Sequence, residues 1–171
     1  APSYQWGERR HALPLQLLAQ VLGGRSTSRL YRDMVIDDQV AVRASAFYSA
    51  TDVGPSQFFL FAVPRGDTTL DVIETRMDSV IAEVLENGIT QEELDRTKGF
   101  LLAQAVYARD NVQGAARMFG EALTNGRTIE DVESWPDRMK AVTLDEVNAA
   151  ARHVFDRSRS VTGILRARQP S

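Results

Sequence analysis

Cysteine is absent from the 171 residues. That excludes disulfides and thiolate metal sites, and it leaves the redox compartment open. Histidine occurs only at His11 and His153, far apart in sequence. No apolar run approaches the roughly 20 residues of a membrane span; the longest, "FFLFAV" at 58–63, reads as a buried strand. The opening "APSYQWGERR" has no apolar core and is not a signal peptide. It suits either a mature end or a cut inside a longer protein. Basic excess is missing too: the net charge is -3 and the pI near 5.4, which argues against nucleic acid. No charged tail, linker, repeat or low-complexity segment occurs.

What is there fits one globular domain, with 43% hydrophobic and 25% charged residues. A helix is predicted over 12–22, with Leu15, Leu18, Ala19 and Leu22 on one face and Pro14 tolerated in its first turn. Gly23 and Gly24 are expected to stop it through a left-handed conformation. Ser26 or Thr27 would cap the next helix, running to about Asp37. Strands are predicted over 40–49 and 57–63, the second buried on both faces, with the turn "ATDVGPS" between them.

The remainder reads as mostly helical. Leu70, Ile73, Met77, Val80, Ile81 and Val84 form a stripe of period 3.6, closed by Asn87 and Gly88. Thr90 with Glu93 and Thr143 with Glu146 are capping boxes, and Thr128 with Asp131 is a shorter-armed variant. They open helices over 91–109, 129–141 and 144–155, with another over 111–124. A final strand is predicted over 160–166. Early strands and late helices indicate an α+β domain, a largely antiparallel sheet backed by several helices.

The residues offer no catalytic machinery. "LGGRSTSRL" lacks the preceding strand and the lysine of a phosphate loop, although Arg25 and Arg29 beside a helix start could attract an anion. No Gly-x-Ser-x-Gly elbow, His-x-x-Glu-His, inverse motif or calcium loop occurs. His11 and His153 read as surface or packing residues, and Tyr107 and Arg109 as packing and helix-end charge. Gly114 and Gly120 are expected to permit close helix contact.

The stretch "LLAQVLGGRSTSRLYRDMV" nevertheless resembles the start of the C-terminal half of the M16 zinc peptidases, the pitrilysin, insulinase and mitochondrial-processing-peptidase group, bacterial type. The matching positions are Gly23, Gly24, Ser28, Arg29, Leu30 and Tyr31. "PSY", "GITQEELDRTK" and "VTLDEVNAAARHVF" extend the likeness along nearly the whole chain. The resemblance implies a single half-domain, 1–171, of a longer two-domain protein. In such proteins two α+β halves enclose a peptide-sized chamber, and zinc sits on the N-terminal half, where it activates water. The C-terminal half holds no metal and no catalytic group; it encloses the substrate.

Many members place an arginine, and seven positions on a tyrosine, against the substrate. In this register those positions are Val35 and Val42, neither of which donates a hydrogen bond from its side chain. The expected partners are therefore the zinc-bearing half, on the same or a separate chain, and a peptide substrate. The parent would be a zinc metalloendopeptidase and this chain alone inactive. Two rival readings are a structural non-peptidase subunit and a free-standing peptide-binding module. The resemblance favours the bacterial periplasm or envelope, with the cytoplasm open.

Overall fold

The computed structural model describes residues 1–109 and 112–166. A 3-10 turn, Arg9–His11, leads into α1, Ala12–Gly23; α2, Arg29–Tyr31, continues as a π-helical stretch, Arg32–Asp37. Strands β1, Ala41–Tyr48, and β2, Phe58–Pro64, pair antiparallel as a two-stranded sheet. Helices α3, Leu70–Asn87, α4, Gln91–Arg109, α5, Val112–Thr124, α6, Ile129–Glu133, α7, Trp135–Ala141, and α8, Leu144–Val154, complete the α+β domain.

The three threonine signals work as read. Each threonine hydroxyl accepts from the amide three residues on, and the carboxylate at that position accepts from the threonine amide. The shorter arm of Asp131 suffices. The predicted 129–141 helix is two helices, because Ser134 joins them and Pro136 opens the second, a position where proline loses no helical bond. Gly88 closes α3 at φ +74°, as expected.

α1 is the centre of the core. Leu17 and Val21 are as buried as Leu15, Leu18 and Leu22, so the helix is enclosed nearly all round, not on one face. It packs against β1, α4 and α8, and Leu30, Met34, Leu94, Met139 and Val147 close around it.

Several expectations fail for physical reasons. Neither Gly23 nor Gly24 has a positive φ; Gly24 is right-handed at φ -76°. The real constraint is space: a Cβ on Gly23 would lie 1.8 Å from the Ala46 amide nitrogen, so glycine lets α1 touch the backbone of β1. The α2 cap is Ser28, not Ser26 or Thr27, and its hydroxyl donates to the Arg25 carbonyl instead of capping.

Strand β2 is not sealed on two faces, since Phe59 and Val63 are 53% and 44% exposed; in the two-stranded sheet of the described residues it is an edge. Residues 160–166 are not a strand, and among the described residues the sheet holds β1 and β2 alone. Gly120 makes no close helix contact where its side chain would stand, with nothing within 4 Å of a built Cβ.

Candidate substrate-facing surface

The motif residues around Gly23 are spent on structure. Ser45 Oγ donates to the Gly23 carbonyl at 2.6 Å. Arg29 is 8% exposed, and its Nε and Nη2 donate to the two Glu93 carboxylate oxygens, each at 2.7 Å. Nη2 also donates to the Gly88 carbonyl at 3.0 Å. Glu93 is the capping glutamate of α4, so one carboxylate both starts that helix and anchors α2 to it. Burial pushes the Glu93 carboxyl up, but the Arg29 guanidinium and the Thr90 amide outweigh this and hold it below its ordinary value. Leu30 is buried and Tyr31 half-buried against the core. These positions build the corner that carries β1.

The "PSY" segment has a similar task. The Tyr4 amide donates to the Ala50 carbonyl, and the Tyr48 hydroxyl donates to the Pro2 carbonyl at 2.5 Å. The segment is thereby fastened to the end of the hairpin. The buried hydroxyls of Ser28 and Ser56 donate to backbone carbonyls, and that of Ser3 accepts from the amides of Gln5 and Trp6. They are committed to turns.

The hairpin itself has two unlike faces. Ala44, Ala46 and Tyr48 are buried toward the core. The alternate residues pair as Arg43 with Val63, Ser45 with Phe61 and Phe47 with Phe59. Phe47 is 63% exposed, the Phe59 and Phe61 rings lie 6.0 Å apart, and the Arg43 guanidinium sits over Phe61 at 5.0 Å. Singly exposed apolar residues are ordinary; a contiguous aromatic set on one sheet face marks a contact surface.

The two valines part company. Val35 is buried in the core, and its carbonyl accepts from Arg65 at 3.3 Å. Val42 falls in the irregularity between Ala41 and Arg43, where it has no partner on β2, and is 52% exposed. Such bulges re-aim side chains and are common beside functional surfaces. Tyr107 is exposed on α4, and the Arg109 side chain lies outside the described residues.

The histidines, read as distant, meet. Their rings stack at 4.7 Å with 23° between planes, and Glu8 lies beside both. Periodicity could not reveal this, because the contact joins the two ends of the chain. The sequence also gave no sign of a hollow of about 410 Å³ near Tyr4, walled in part by Arg9, Arg10, Arg127 and Arg138. Arg127 and Arg138 lie over the Tyr4 ring at 4.8 and 5.7 Å.

Residues 1–101 match the family described as the peptidase M16 inactive domain. An uncharacterised zinc protease of Mycobacterium tuberculosis is 28% identical over 149 residues, covering 86% of this chain and 33% of the relative. One from Streptomyces coelicolor is 29% identical over 167 residues, covering 96% and 35%. The chain thus spans about a third of the curated relatives it matches. Among solved structures, an inactive peptidase domain from Bordetella parapertussis superposes with a TM-score of 0.81 at 19% identity, covering all of this chain and 91% of the other. A protease from Helicobacter pylori gives 0.81 at 17% identity, covering 91% and 36%. At these identities the structures establish the fold.

Proposed function

The chain belongs to the M16 peptidase inactive-domain family, and we propose that it is the non-catalytic half of a zinc peptidase, closing a peptide chamber whose zinc is held by a separate half. The observation that carries this reading is the bare aromatic face of the hairpin, with Phe47 and Phe59 exposed and Arg43 over Phe61, while the opposite face is packed. A peptide passing such a face would be held by apolar contact and by main-chain hydrogen bonds at the open strand edge. Val42, unpaired and exposed, is the substrate-facing member of the valine pair; Val35 acts from behind by supporting the backbone.

The lost arginine and tyrosine favour a second reading, a structural subunit without peptidase chemistry. One transition-state donor is worth about 3 kcal/mol, or about 100-fold in rate, so an active parent must compensate elsewhere. The companion sequence separates the two readings. A His-x-x-Glu-His half encoded upstream or in a neighbouring gene should hydrolyse peptides faster when this chain is present. Val42→Tyr should change turnover without a comparable loss of folding. If a zinc-bearing companion cleaves equally well with and without this chain, the chamber role is wrong.

A further inference from the structure

The chain has two histidines, and the fold brings both to one place beside a carboxylate. His11 lies in the turn before α1, His153 in the last turn of α8 and Glu8 three residues before His11. One donor atom from each of the three lies within 4.8 Å of the others. From this juxtaposition we infer a metal site on this chain, Glu8–His11–His153, that takes a divalent transition-metal ion and clips the N-terminal segment to α8.

Donor chemistry narrows the ion. Two imidazoles and one carboxylate suit zinc, cobalt, nickel or copper; magnesium and calcium take oxygen ligands. Bond lengths of 2.0–2.2 Å in a tetrahedral site put donors about 3.4 Å apart. His11 Nε2 is 3.5 Å from Glu8 Oε2, and His153 Nδ1 is 3.7 Å from Glu8 Oε1. Each separation is close to that edge, but the two run to different oxygens of Glu8, so the carboxylate must bind through both or turn to offer one oxygen to the shared ion.

The rings must adjust as well. They face each other, and a shared ion must lie near the plane of each. His153 has the room to turn, with a side chain 28% exposed against 9% for His11, and the outer torsion of histidine is broad. Arg10 competes for the carboxylate, 2.6 Å from Glu8 Oε2, but its side chain is 78% exposed and free to swing out. Arg159 donates to the His153 carbonyl at 2.7 Å, which holds the end of α8 through the backbone and not through the ring. Glu8 is 48% exposed, so water completes the coordination. The triad lies outside the hairpin face and is independent of the chamber proposal.

Chelator-stripped 171-residue protein titrated with cobalt(II) and zinc should bind one equivalent of either. Cobalt should give tetrahedral d–d absorption. Zinc should raise Tm by several degrees, while magnesium leaves it unchanged. His153→Gln and Glu8→Gln, both at partly exposed positions, should each weaken zinc at least about tenfold. Should one variant misfold, as judged by its metal-free Tm, the other decides. Absence of cobalt absorption at stoichiometric protein overturns the site, as does unchanged zinc affinity in the folded variants.

Discussion

The two faces of the β1–β2 hairpin are built from similar residues under opposite conditions. Toward the core, Ala44, Ala46 and Tyr48 are packed under α1, and even a glycine is required at Gly23 for the approach. Away from it, Phe47, Phe59 and Val63 stand in solvent. The first face explains the fold and offers nothing to a ligand. The second adds little to the stability of the domain, yet gathers phenylalanines where polar residues would cost less. The difference teaches that motif residues and functional surface are separate: the glycines, Ser28 and Arg29 hold the hairpin, and the hairpin presents the face.

The contrast can be broken from the packed side first. Arg29→Ala should leave Glu93 half-buried without its partner and cost about 3–5 kcal/mol in denaturant unfolding. The loss should depend on pH. Because the Glu93 carboxyl is held below its ordinary value, its contribution is present above the unfolded value, near 4.3, and is lost as pH falls through the lower folded one. The gap between wild type and Arg29→Ala should therefore narrow as pH falls below about 4.

Gly23→Ala comes next, at about 3 kcal/mol, since the new methyl meets the β1 backbone. Gly24→Ala should cost less, because its Cβ meets chiefly the end of the Gln20 side chain. Equal losses at the two glycines would remove the close-approach account. On the bare face, Phe59→Ser should change the stability of the chain by no more than about 0.5 kcal/mol. A loss of 2 kcal/mol or more would mean that this face is packed.

What could be read from the sequence was local. Thr90, Thr128 and Thr143 announced their helices because a capping box is complete within four residues. The stripe from Leu70 to Val84 did the same through its period. The glycine pair was found in the right place for the wrong reason, since a helix stop and a close approach look alike until the neighbour, Ala46, is known. "FFLFAV" could not show that β2 is an edge, and 160–166 alternates as a strand would but pairs with no strand among the described residues. The stacked histidines were out of reach for the same reason: only the tertiary fold joins residue 11 to residue 153. Of the surface proposed to face substrate, the family register pointed at Val35 and Val42, while Phe59 lay in a strand read as buried on both faces and Phe47 was not singled out.

The most direct test of the central claim replaces Phe59 with a photo-crosslinking phenylalanine analogue, and in a second protein Glu86, exposed on α3. Each is illuminated together with the zinc-bearing half and a peptide that it cleaves. The account predicts that position 59 captures the peptide and position 86 does not. Capture at 86, or equal labelling at both positions, would contradict it.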